Sequence, residues 1–399
     1  MAATKKGPWS LQEVRDKQLQ DEWSYFAPDA PGQLWTWGDN EDGQLGLNQQ
    51  YNFGDSSSPK QVGTQETWMY VALQGSSKAP ALGVKNDGTL WIWGYNDKGS
   101  AGTNHDNREY SSPTQIPGTN WSQEAGKTAY KRVITTKTDG SLWAWGYNQN
   151  GELGQNQSGT PAPDAVWRSS PTQIGTGTDW DYGIRKSTTG SYTSYAIKTN
   201  GTLWGWGSGS YGKLGQNDNT GRSSPVQIGT ETTWARIDAA RFCLATKTDG
   251  TLWGWGLNDD GQCGSNNQTR YSSPRQVGTN TTWHDVCTTN GGAMATKTDG
   301  TLWSWGYNFF ATYGHSRTKH SSPIQIPGTW NKDECAIGGG SASGIKDDGT
   351  FWKWGRNFRG SLGLGDNTSY SSPMQVGTDK STWLKNGGMG SYYSAAILG

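Results

Sequence analysis

Histidine, cysteine and clustered carboxylates are where hydrolytic, redox or metal chemistry would show in this 399-residue chain. His105, His315 and His320 fall in predicted loops, and His284 follows Trp283 at a predicted strand start. None has a Glu or His at metal-ligand spacing. Cys243, Cys263, Cys287 and Cys335 lack C-x-x-C pairing, so they read as four isolated thiols packed as small hydrophobes. Gly209 and Gly212 imitate a phosphate-binding loop, but no strand-to-helix transition follows to supply a helix N-terminus. Acidic residues sit mostly in turns. Nothing positions the carboxylate pair of a glycosidase, roughly 5–9.5 Å apart. Lys85, Lys137, Lys198, Lys247, Lys297 and Lys346 recur at one place per repeat, which predicts a solvated, structural ring on one rim. The expectation is a protein without catalytic, cofactor or metal site.

Composition narrows the class further. Lys plus Arg and Asp plus Glu both total 34, and no basic stripe marks a nucleic-acid binder. No apolar run reaches the ~18 residues of a membrane span. The start, MAATKKGPWS, has no apolar stretch after its lysines and does not read as a secretory signal. Apolar residues make up 31%, below the roughly 45–50% usual for globular domains. Twenty-four Trp residues must therefore supply the burial that aliphatic side chains supply elsewhere.

Those indoles are periodic. L/F-W-x-W-G occurs seven times, with its first Trp at Trp35, Trp91, Trp143, Trp204, Trp253, Trp303 and Trp352. Each copy continues through a Gly-containing turn to a Ser-Ser-Pro-x-Gln strand, and in most copies a later Trp opens the next segment. Asp-Gly or Asn-Gly pairs, as at Asp249-Gly250, precede each W-x-W but the first and predict type I′ hairpins. Between the tryptophans the residue is often small (Ala144, Gly205, Gly254, Ser304), which suits a sheet covered on both faces. Four short strands per unit, seven units over, predict an all-β, seven-bladed β-propeller.

The chain ends exclude an open solenoid. The first W-x-W has no Ala-x-Lys strand ahead of it. The last segment, Ser394-Ala395-Ala396-Ile397-Leu398-Gly399, matches the strand at 194–199 and then stops. The C-terminus thus holds the strand that the first blade lacks, and pairing the two closes the ring without a free edge. Residues 32–399 are assigned to the propeller and 1–31 to an N-terminal extension. In that extension Ser10 and Glu13 form a capping box with a Trp9–Val14 staple, predicting a short helix to about Trp23.

Gly-x-Leu-Trp-x-Trp-Gly-x-Asn-x-x-Gly-x-Leu-Gly, at 32–46 and again at 140–154, resembles the repeat of the regulator of chromosome condensation family. The resemblance covers nearly the whole chain and implies a seven-bladed propeller. The name-giving member promotes nucleotide exchange on a small GTPase and binds chromatin, and the repeat also occurs in bacterial and viral proteins. The regular Thr-Lys-Thr-Asp-Gly-Thr-Leu-Trp wording is similar to the bacterial and bacteriophage version. The segment Trp9-Ser10-Leu11-Gln12-Glu13 resembles the start of marine bacteriophage structural proteins. Together these imply a non-enzymatic virion component in a tail, fibre or capsid attachment. It would be docked to other virion proteins through Trp9, Leu11, Val14, Leu19 and Trp23 and would present loops to a host surface protein or glycan. The alternative is a cellular interaction hub or GTPase regulator.

Departures from the repeat mark candidate binding residues, because recognition concentrates on variable loops of rigid scaffolds. Phe309, Phe310 and Tyr313 replace polar and aliphatic residues in the sixth turn, where Ala311 takes the glycine position. Two long loops add Tyr51 and Phe53 (47–56) and Trp167 (155–168).

Overall fold

The computed structural model describes residues 30–49, 54–73, 78–106, 109–124, 126–157, 167–307, 319–377, 382–390 and 392–399. They form seven antiparallel four-stranded sheets, numbered here as blades one to seven by their W-x-W strands in chain order. The docking segment of residues 9–23, and Tyr51, Phe53, Phe309, Phe310 and Tyr313, lie outside the described residues.

The inner strands are Trp383–Met389, Trp68–Ala72, Lys127–Ala129, Ser187–Gly190, Trp234–Ala239, Trp283–Thr288 and Trp330–Gly338, for blades one to seven. Successive inner strands pack side by side around the axis. The seam is where the chain ends predict it. Tyr393–Leu398 pairs with Gln33–Gly38 on one side, from Gln33↔Leu398 to Gly38↔Tyr393, and with Trp383–Met389 on the other.

Indoles join the blades. The second Trp of the motif is fully buried in every blade. In blades one to six its N–H donates to a carbonyl of the preceding blade: Trp93 to Gln44 O at 2.9 Å, Trp255 to Lys213 O at 2.8 Å, and Trp37 across the seam to Ser361 O at 3.0 Å. A third indole opens the inner strand of blades one, two, five, six and seven, and in blades three and four stands ahead of it as Trp121 and Trp180. In blade five it meets the motif edge-on: Trp234 lies 6.1 Å from Trp253 and 6.0 Å from Trp255. This is the geometry that ring quadrupoles favour. The turn glycine is needed for the same contact between blades. Gly151 has φ +84°, and a Cβ there would meet Ser223 Cα of the next blade's Ser-Ser-Pro strand at 2.6 Å.

Two local expectations are corrected. In the Asp-Gly hairpins only the glycine has positive φ, as at Gly250. Gly250 N–H closes on Lys247 O, and Asp249 Oδ1 accepts from Thr251 N (2.9 Å) and Thr251 Oγ1 (2.7 Å). That side-chain turn holds the Asp in ordinary backbone space, so a type I′ turn is not required. The six lysines are structural but less solvated than expected, three of them buried and three half-buried. Lys247 Nζ sits 4.9 Å from the Trp234 ring and 3.6 Å from Trp253, and the other five cap their own indole pairs alike. In the first blade Leu398 takes the lysine's place, opposite Trp383.

Candidate functional site

Each blade sends its longest connection, from the W-x-W strand to the outer one, to the same end of the ring as the short link between its inner and second strands. Among the described residues six large hydrophobic side chains are exposed, and four of them lie on this rim: Tyr192, Tyr211, Tyr307 and Phe358. A cation flanks each. Lys213 Nζ is 5.9 Å from the Tyr192 ring, Arg270 is 4.8 Å from Tyr211 and Lys319 is 5.1 Å from Tyr307. Arg356 and Arg359 stand 5.0 and 5.4 Å from Phe358, which meets Tyr392 edge-on at 4.7 Å. Tyr192, Tyr211 and Arg359 have positive φ (66°, 65° and 56°), a backbone state that costs non-glycine residues about 1–3 kcal/mol and clusters at functional sites.

Trp167 does not join this array. It opens the outer strand Trp167–Gln173 of blade three, half-buried under the Lys98 ammonium of blade two at 4.6 Å. Tyr211 and Phe358 were missed by sequence reasoning. Both occupy the turn positions where Phe309 and Phe310 stand out, so aligning all seven turns would have found them.

Beneath the rim runs the axial channel, with about 940 Å³ of atom-free space, part of it open to solvent. All seven blades line it, through Lys385, Val71, Lys127, Arg185, Ile237, Cys287 and Glu334 among others. Most acids sit in turns, but four carboxylates gather here, each matched. Asp285 takes Arg185 Nε at 2.7 Å and Arg236 Nη1 at 3.4 Å. Asp333 takes Arg236 Nη2 at 2.6 Å and His284 Nε2 at 2.7 Å. Asp238 takes Lys127 at 3.2 Å and the Thr288 N–H at 2.8 Å. Glu334 accepts from Asn386 N–H at 2.6 Å, with Lys385 at 3.8 Å. His284 thus has an acidic partner that local spacing could not show, and His320 opens the strand His320–Ile326 rather than lying in a loop. Cys287 and Cys335 are not isolated either: their sulfurs lie 2.7 Å apart, in contrast to Cys243 and Cys263, which contact carbonyls of Lys213 and Leu257.

Burial pushes the Glu334 carboxyl up to about 7, against the pull of Lys385 and the Asn386 N–H. Burial also opposes ionisation of Asp333, but His284 and Arg236 outweigh it and hold that carboxyl far below the usual range. A carboxyl whose folded pKa is raised keeps its proton longer than in the unfolded chain. Its ionisation therefore removes stability as pH rises from about 4.5 to about 7, and the deficit is constant above that. Glu334→Gln should match wild type near pH 4.5 and exceed it by ~2–3 kcal/mol at pH 8. Urea midpoints at the two pH values test this; an equal gap at both would refute it.

The regulator of chromosome condensation (RCC1) repeat matches residues 31–73, 139–197, 200–241, 249–295 and 348–397, more than half of the chain. The protein belongs to this family. Among curated relatives it is 25% identical over 225 residues to the ultraviolet-B receptor UVR8 of Arabidopsis thaliana, covering 55% of this chain and 47% of that protein. It is 29% identical over 150 residues to human protein RCC2, covering 37% and 27%. The matches thus span less than half the length of these relatives. In fold it is similar to Prp20p of Saccharomyces cerevisiae, whose crystal structure was described with its binding to Gsp1p and histones (TM-score 0.77, 18% identity, 92% of each chain). It is equally similar to human WBSCR16 (TM-score 0.77, 18% identity, 92% of this chain and 98% of that one).

Proposed function

We propose that this RCC1-repeat propeller is a protein-binding module, a cellular interaction hub or regulator, that receives its partner on the aromatic rim. One observation carries the reading: the exposed large aromatics concentrate on a single rim, each beside a Lys or Arg. Tyr, Trp and Arg are the residue types that dominate binding energy at protein interfaces. Structural relatives support it, because Prp20p is described as binding Gsp1p and histones, and yeast RCC1 was crystallised with Kap60. The role is binding rather than catalysis, since the channel carboxylates are each matched to a cation or an N–H donor. A virion placement would rest on the wording of the repeat, the neutral chain and residues 9–23, the last outside the described residues, and the cellular relatives lend it no support.

Affinity capture with the full chain tests the rim. Tyr211→Ala combined with Phe358→Ala should weaken retention of a captured partner at least ~10-fold, the scale of interface hot spots. Tyr182→Ala is the control, being 45% exposed but on the opposite rim, in the loop before Ser187–Gly190. Equal retention by both variants would remove the reading. Nucleotide exchange on a captured GTPase would establish the narrower regulatory role.

A further inference from the structure

The two channel cysteines come from inner strands of adjacent blades and sit 48 residues apart, while the W-x-W motifs of those blades repeat at 49. That single-residue offset matters because successive side chains on a strand face opposite ways. In the ladders, Val286 pairs with Ala295 and Cys287 with Met294; in the next blade Cys335 pairs with Gly344 and Ala336 with Ser343. Cys335 therefore occupies the place of Val286, and Cys287 that of Ala336. The two thiols turn toward each other across the gap between blades, and both are 2% exposed.

We propose that Cys287 and Cys335 are a covalent modification site, joined by a disulfide that ties the inner strand of blade six to that of blade seven. Asp285 lies beside them, and its carboxylate and the two sulfurs fall within 4.8 Å of one another, a grouping that could suggest a metal. The geometry favours the disulfide. A tetrahedral zinc with Zn–S bonds of about 2.3 Å holds two sulfurs roughly 3.8 Å apart. Here they are 2.7 Å apart, closer to the ~2.05 Å of a sulfur–sulfur bond. A metal would also have to displace the Arg185 guanidinium, which holds Asp285 at 2.7 Å and reaches Cys287 Sγ at 3.3 Å.

Access assigns the order of steps: Cys287 lines the channel and Cys335 does not, so a small-molecule disulfide entering the channel meets Cys287 first. Its thiolate attacks one sulfur of that oxidant, and the other sulfur leaves as a thiolate that takes up the proton Cys287 gave up. Cys335 then loses its proton and attacks the mixed disulfide at the Cys287 sulfur, releasing the second small thiol. One protein S–S bond forms, two S–H bonds are lost, and the oxidant is reduced to two thiols.

The purified full chain is incubated with oxidised glutathione, alkylated under denaturing conditions and digested with trypsin without reduction. The expected result is one linked pair, the peptide Gln276–Lys297 joined to Asp333–Lys346. Free thiols should fall from four to two, and thermal stability should rise and return to its starting value on adding dithiothreitol. Cys335→Ser should trap a glutathione adduct on Cys287 that wild type resolves; if that variant does not fold, the wild-type peptide map decides alone. Four persistent free thiols, linkage through Cys243 or Cys263, or about one zinc per purified chain with Cys287 and Cys335 protected until chelation would each overturn the proposal.

Discussion

A chain shortened by residues 393–399 is expected to lose its cooperative thermal transition. Tyr393–Leu398 lies second from the axis in the first blade, between the W-x-W strand and the inner strand. Removing it breaks two ladders at once and separates Gln33–Gly38 from Trp383–Met389. Each would then be an unpaired edge facing a gap in the ring. Apolar contacts go with it. Tyr393, Ala395 and Ile397 pack with Leu34, Trp68, Val71 and Leu384, while Ala396 faces Trp37, Phe351 and Trp383 on the other side of the sheet. Truncating one buried Ile to Ala costs about 2–5 kcal/mol. The whole strand thus exceeds what a fold with ~5–15 kcal/mol of net stability can lose. Ile397→Ala serves as the graded comparison and should melt cooperatively at a lower temperature. Calorimetry of the three chains decides, and a shortened chain that melts near wild type would show that the ring is not closed by this strand.

That seam is legible in the residues alone because it is written twice, as an absent strand at one end and a surplus strand at the other. The motif indoles are legible because their period is the blade. What escapes is non-local. Arg185, Arg236, Asp285 and Asp333 belong to blades four, five, six and seven. Within its own repeat each is an ordinary charge, and only ring closure brings them together in the channel. The lysine ring shows in its period but not in its environment, because the indole pair beneath each ammonium spans two strands. Asp249 reads as half of a dipeptide with Gly250, whereas its carboxylate bonds forward to Thr251 and sets the turn. The rim is intermediate. The unusual sixth turn advertises it, but the same departure in milder form at Tyr211 and Phe358 is easily passed over, because each stands alone in a turn otherwise polar.

Arg185→Ala should be the most damaging single substitution in the channel. Arg185 leaves the loop before the inner strand of blade four and reaches across to blades six and seven. It holds Asp285 through Nε and donates from Nη2 to Cys335 O at 2.8 Å. Its partner carboxylate is fully buried. Removing the cation leaves Asp285 with Arg236 alone, at 3.4 Å. Breaking a buried pair from one side typically costs about 3–5 kcal/mol, because the surviving charge has lost both water and partner. Removing both charges should be far milder. Arg185→Met with Asp285→Asn leaves no orphaned ion, and Arg236 keeps Asp333 at 2.6 Å. The double variant should therefore lose less than Arg185→Ala alone, with a coupling of at least ~1 kcal/mol between the sites. Urea unfolding of the single and double variants measures this directly. A single substitution within about 0.5 kcal/mol of wild type would mean that the seven inner strands hold the channel together without its charges.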